Sequence, residues 1–431
     1  MSKGLGIAEA TLDNGLKVLT IERSGPPVVS VWACCRVGSR HEHPGITGAS
    51  HWVEHMLFKG GREFAKGQIF RQIARHGGVN NGFTNHDLTV YFETLPADAL
   101  DLGLRIEADR LRNSVFDPDE VTSERTVVVS EREGAENRPG FVLAEEVAAT
   151  AFREHPYRWS VIGHKQDLLT MSRDDLFNYF RTHYVPNNTH LVVAGRLERG
   201  ALLERVEALF GTWPRGADPP QPDATEPEQR AERRVIVRRA GGAALVQAAY
   251  HVPAATSPDF FPLTVAATVL SGASGLAMGG SVGGRTSRLH LALVRSGLAS
   301  SAYASCRLAA DPTLMNVGAT VCEGVEVSRV EEVLLREVEG LAERPPTDRE
   351  MEKARRQLRA AFAYAWDGAT AVAGLTTVAE AICGYRWLET YLERLEAVSA
   401  DDVAQVARRY LKPENRTVGH FIPTTDGREG Q

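Results

Sequence analysis

Apolar positions at the start of the chain recur every second residue. Ala8–Leu12, Lys17–Glu22 and Val28–Arg36 therefore read as β-strands. The period then lengthens. A short helix is expected from about Gly48 to Phe58, and Lys66–Arg75 is helical. Leu88–Thr94 alternates again as a strand, and helices follow near Ala97–Arg112 and Asp119–Glu133. In the second half Val235–Arg238 and Ala244–Tyr250 repeat the strand signal. Strands and helices mix without strict βαβ alternation, so the expected class is α+β, with mostly antiparallel sheets packed by helices.

The two halves look related. Residues 172–188 read SRDDLFNYFRTHYVPNN and residues 399–415 read SADDVAQVARRYLKPEN. Ser172 and Ser399, Asp175 and Asp402, Pro186 and Pro413, and Asn188 and Asn415 share one offset of 227. In each copy a serine caps a helix and a proline marks its exit. Between the halves, residues 215–234 (RGADPPQPDATEPEQRAERR) carry proline, alanine and charge without apolar period, as a connector does. The expected organisation is a domain at 1–214, a linker at 215–234 and a related domain at 235–431.

Composition narrows the class. The chain has 431 residues, 43% hydrophobic and 24% charged, which suits a globular protein rather than a disordered or disulfide-stapled one. A net charge of -6 gives no support for nucleic-acid binding. No apolar run is long enough to span a membrane; the best, Ala361–Tyr385, is broken by Asp367, Gly368 and Glu380. The N-terminal residues lack a signal-peptide core, and the five cysteines show no CxxC spacing. Reduced thiols and a cytoplasmic location are expected, unless an export signal has been removed.

The chemistry concentrates in GASHWVEHMLFKGG. On a helix, His51 and His55 lie on one face, so both imidazoles can reach one ion. Glu54 stands at the edge of that face, able to reach a water on the ion without being a ligand. The order His-x-x-Glu-His inverts the zincin motif. Two histidines need a third protein ligand, with one position left open. Residues Asp117–Glu133 offer one. Asp117 can cap a helix, Pro118 suits its first turn, and Glu120 has capping-box spacing. Glu124 and Glu131 fall two turns apart, on a face shared with Val127 and Val128 that should point inward. On residue pattern alone either glutamate could meet the ion, or both could pair with arginines.

His51-x-x-Glu54-His55, followed after 75 residues by Glu131 with Glu124 seven before it, closely resembles the inverzincin peptidases. That family includes pitrilysin, insulin-degrading enzyme and the mitochondrial processing peptidases. HMLFKG, GGVNNGFTNHDLTVYFETLP (77–96), RIEADRLRNSVFDPDEV (105–121) and YVPNNTHLVVAG (184–195) extend the likeness over nearly the whole chain. The resemblance implies His51, His55 and Glu131 as ligands of one zinc ion, Glu54 as general base, and Glu124 as a supporting acid that orients His51 or the water. It also implies that Asn81, Gly82, Phe83 and Thr84 form an edge strand onto which an extended peptide adds. The family usually has alanine at the Gly82 position. On its own, NNGF reads as a turn.

Two departures matter. The second half lacks His-x-x-Glu-His; its equivalent region, Phe261–Gly272, is apolar. Self-sufficient family members also carry an Arg and a Tyr seven apart in the second domain. Here Leu293 and Ser300 occupy those places, with Arg295 and Tyr303 out of register. The resemblance thus implies a zinc metalloendopeptidase cleaving peptides or leader segments as one chain of a pair. A homologous zinc-less subunit would supply the Arg/Tyr pair, with a homodimer as the alternative. Rival readings are a noncatalytic assembly subunit and a peptide-binding module with structural zinc. The glycine-rich run 271–284 resembles a substrate-gating loop or an ordinary surface loop.

Overall fold

In the computed structural model, residues 5–222, 224–273, 275 and 284–424 are described. Residues 274 and 276–283 of the glycine-rich run 271–284 lie outside them. The chain forms two compact units of mixed sheet and helix.

The first unit is built on six strands: β1 (Ile7–Thr11), β2 (Lys17–Glu22), β3 (Val28–Cys35), β4 (Val79–Thr84), β5 (Thr89–Pro96) and β6 (Thr189–Gly195). Their order is β1-β2-β6-β3-β5-β4, with only β2 and β6 parallel. β3 and β6 are buried on both faces, which explains their nearly continuous apolar sequence. Four helices then set the site: α1 (Ala49–Met56), α2 (Gln68–Arg75), α3 (Leu100–Asn113) and α4 (Pro118–Glu136). Trp52, Val53 and Met56 of α1 join Leu104 of α3 and Val128 of α4 in one buried cluster.

The second unit repeats the plan with β7 (Arg233–Ala240), β8 (Leu245–Val252), β9 (Ala299–Cys306), β10 (Thr313–Val321) and β11 (Arg416–Thr424). The order is β7-β11-β8-β10-β9, again with a single parallel pair, β7 with β11. Without β1, the two sheets match strand for strand. The repeat extends to side chains. Ser172 and Ser399 each cap a helix in a capping box with Asp175 and Asp402. Asn188 donates to His183 O at 2.9 Å, and Asn415 donates to Tyr410 O at 2.8 Å. Both halves are therefore copies of one α+β design.

The units are not simple halves of the chain. Residues 133–158 belong to the second unit, and 366–389 to the first. α5 (Pro139–Ala151) packs on β7, β8 and β11. The helix Ala369–Ile382 packs on β3 and β6. Each sheet is thus covered by a helix encoded in the other half. Close approach is made possible by glycine: a Cβ at Gly374 would lie 2.7 Å from the Trp32 ring, and one at Gly419 2.3 Å from Val147. Polar bonds fix the first pairing, with Lys17 to Glu380 at 2.7 Å and Thr94 to Thr370 at 2.7 Å.

Candidate metal centre

α1 begins at Gly48, whose φ of +91 favours glycine and whose missing side chain cannot cap the helix. Glu42 caps it instead. Its two carboxyl oxygens accept the Gly48 N–H at 2.7 Å and the Ser50 N–H at 2.8 Å. Burial pushes the Glu42 carboxyl up to about 8 against those bonds. Asp167 holds the preceding turn through Gly45 N, Thr47 N and the Thr47 hydroxyl. An eight-residue helix has little stability of its own, and these contacts supply it with a fixed start.

Fixed this way, α1 presents three side chains together. His51 Nε2 and His55 Nε2 lie 3.3 Å apart. Glu131 Oε2, from α4, lies 3.7 Å from the first and 3.6 Å from the second. A tetrahedral ion with bonds of about 2.0–2.1 Å would place its ligand atoms roughly 3.4 Å apart, so this triangle fits zinc. Among the described residues it is the only group of three His, Cys, Asp or Glu side chains that converges in this way. Two nitrogens and one carboxylate oxygen suit zinc and leave its fourth position open.

α4 is aimed by its own start and by its arginines. Asp117 accepts from Asp119 N at 2.9 Å and from Glu120 N at 3.3 Å, the cap expected from sequence. The Glu120 side chain takes a different partner, Lys66, at 2.7 Å. Arg125 sits over the Trp52 ring, and Arg132 bonds Gly163 O. The face carrying Glu124 and Glu131 is not buried throughout. Val128 is fully enclosed, but Val127 is 42% exposed and the Glu131 side chain 44%. The stripe runs from core to opening, with the Glu131 carboxylate at the open end.

Glu124 stands 2.8 Å from His55 Nδ1 and is nearly enclosed. A carboxylate only accepts, so His55 Nδ1 carries the proton and Nε2 keeps its lone pair for a metal. Burial alone would lower the His55 pKa; the Glu124 bond and the charges of Glu131 and Glu54 outweigh it and raise it. Burial raises Glu124, but its bonds to His55 and Lys59 prevail and hold it ionised. Glu124 thus orients His55 rather than His51 or a water. Burial, then the neighbouring His55, push His51 down to about 3, so its imidazole is neutral.

Glu54 is buried to 8% exposure, and its Oε2 accepts from the Thr84 hydroxyl at 2.6 Å. Burial raises its pKa, opposed chiefly by the Thr84 bond. Asn81, Gly82, Phe83 and Thr84 lie in β4, paired on one side with β5 through Phe92, Tyr91, Val90 and Thr89. The NNGF run is therefore strand, not turn. β4 ends the sheet, and among the described residues its other edge has no strand partner. A cavity of about 400 Å³ opens here, lined by Glu54, His55, Phe58, Lys59, Phe70 and Asn81. Phe58 and Phe70 stack at 5.5 Å as its apolar wall. Sequence reading did not single out Lys59, Phe70 or the Thr84–Glu54 bond. Lys59 alone left a signal, four residues beyond His55.

In the second unit the helix Phe260–Ser271 is apolar and buried along almost its whole length. Leu293 is fully buried, while Ser300 is exposed on β9. Neither side chain can supply charge or a phenol.

Buried neutral imidazoles elsewhere in the first unit predict a pH effect. Burial lowers both His183 and His190 to about 4. Between pH 6.5 and 4 the unfolded chain binds protons that the folded chain refuses, so stability falls as pH drops through that window. The metal-free protein should show a falling Tm from pH 6.5 to 4 by thermal denaturation. His183→Phe, which removes one of these groups, should make that decline shallower.

Residues 17–165 match the family model described as "Insulinase (Peptidase family M16)", and residues 170–358 match "Peptidase M16 inactive domain". An uncharacterized zinc protease of Streptomyces coelicolor is 30% identical over 434 residues, covering 96% of this chain and 90% of that protein. The mitochondrial-processing peptidase subunit beta of Lentinula edodes is 27% identical over 424 residues, covering 96% and 89%. The crystal structure of a protease from Helicobacter pylori superposes with a TM-score of 0.91 at 26% identity, covering 97% and 99%.

Proposed function

The chain belongs to the insulinase family of peptidases, M16, and from that premise we propose that it is a zinc metalloendopeptidase whose catalytic groups all lie in its first unit. The convergence of His51, His55 and Glu131 from two helices, with Glu54 beside them, carries this reading. A zinc ion held by those three groups would supply Lewis acidity, lowering the pKa of a water and polarising a scissile carbonyl. Glu54, held through Oε2 by Thr84, keeps Oε1 to take the proton from that water and return it to the leaving amine. Glu124 fixes the ring of His55 as a positioning residue. β4 offers its outer edge to an extended peptide, with Gly82 and Thr84 against Glu54. A Cβ at Gly82 would lie 3.2 Å from Glu54 Oε1, so glycine leaves room for substrate backbone.

The buried Leu293 and the exposed Ser300 support a second chain that supplies an Arg/Tyr pair. Such a pair would stabilise the oxyanion that forms during peptide cleavage. Flexible peptides or leader segments are the fitting substrates, because only an extended chain can add to β4.

The test is peptide cleavage by the purified chain, with and without a homologous chain that carries the pair. Chelation should abolish cleavage, zinc should restore it, and the second chain should stimulate it. Cleavage that survives complete metal removal would sink the metallopeptidase reading. Full activity of the isolated chain would sink the two-chain part alone.

A further inference from the structure

Lys59 lies in the turn after α1, four residues beyond His55, and its ammonium pairs with Glu124 Oε2. The other oxygen of the same carboxylate takes the His55 Nδ1–H at 2.8 Å. The Glu124 side chain is 5% exposed and, with Lys59, lines the wall of the cavity beside β4, so this ion pair is only partly screened from solvent. Lys59 itself is held from behind. Its N–H bonds Met56 O at 3.0 Å. The next residues are pinned by Asp109, which accepts from Arg62 N, Glu63 N and Phe64 N at 3.0–3.1 Å. Gly61 permits this, since a Cβ there would lie 2.2 Å from the Asp109 carboxylate. The backbone on both sides of Lys59 is thus held, which limits where its ammonium can reach.

We propose that Lys59 is a positioning residue for the metal centre, acting through Glu124 on His55. This rests on the metallopeptidase reading of the site. With the ammonium present, the Glu124 carboxylate has a donor on each oxygen and one orientation. Its Oε1 then holds the Nδ1 proton on His55 and turns Nε2 toward His51 and Glu131. Without the ammonium, a nearly enclosed carboxylate keeps one donor and can rotate, and the His55 ring loses its fixed angle. Removal of a carboxylate that bonds a ligating histidine typically weakens metal binding about 10–100-fold, and Lys59, one step further out, should fall at the low end of that range.

The experiment uses the full-length chain, stripped of metal, with zinc affinity measured by chelator competition and Co2+ absorption as a probe of ligand geometry. Lys59→Met should weaken zinc binding by about tenfold and alter the Co2+ spectrum, while Lys59→Arg restores both. Glu124→Gln should weaken binding at least as much, and adding Lys59→Met to it should cost little more, because both act along one path. Thermal denaturation of the metal-free variants confirms that each is folded. Unchanged zinc affinity in Lys59→Met would overturn the proposal, as would fully additive losses in the double variant. Failure of the unmodified chain to bind zinc tightly would instead overturn the metallopeptidase reading beneath it.

Discussion

Glu54→Gln is expected to lower kcat by about 10²–10⁴-fold, the range over which a positioned base acts. Its zinc content should stay that of the unmodified chain. The reason lies in what Glu54 touches. Its Oε2 takes the Thr84 hydroxyl, a bond that a glutamine oxygen keeps, and no ligand atom depends on it. An amide cannot take a proton from water, so chemistry is lost while substrate and metal sites persist. Steady-state kinetics on the assembled enzyme, beside metal analysis, reads both. Equal activity of variant and unmodified chain would favour a noncatalytic assembly role for this protein.

The second large effect is at Glu131. Glu131→Ala should weaken zinc binding by more than the ~100-fold that outer partners cost, because it removes one of three ligands. The metal-free fold should barely notice. The Glu131 side chain is 44% exposed, so its removal opens no cavity. Zinc at 1,000 times its Kd stabilises a binding protein by about 4 kcal/mol. In Glu131→Ala that gain should fall below about 1.4 kcal/mol at the same zinc concentration, while Tm without metal is unchanged. Calorimetry with and without zinc checks both. Retention of the zinc-induced rise would show that the ion sits elsewhere.

Much of this site could be read from the residues. His51 and His55 share a helix face by spacing alone, and α1 places them accordingly. Glu124 and Glu131 could not be told apart by period, since both fall on one face of α4. Two turns separate them along the axis by about 10 Å, so one meets Nδ1 of His55 and the other Nε2. The same period placed Val127 inward, where the structure leaves it open. β4 reads poorly as a strand because Asn and Gly favour turns, yet its pairing with β5 decides the matter. Lys59 acts on a residue 65 positions further along the chain, which no local pattern encodes. Most hidden was the cover of each sheet. The apolar helix Ala369–Ile382 shows that it is buried, but not against which strands.

That exchange of covering helices constrains how the protein can be made. β3 and β6, which flank the centre of the first sheet, meet Ala369–Ile382 only after most of the chain has left the ribosome. A fragment cut at residues 215–234 would hold His51, His55 and Glu131 and still expose a bare apolar sheet. Nascent chains of this protein therefore pass through a long interval of vulnerability, in which a chaperone has more to protect than in a protein whose domains mature in order.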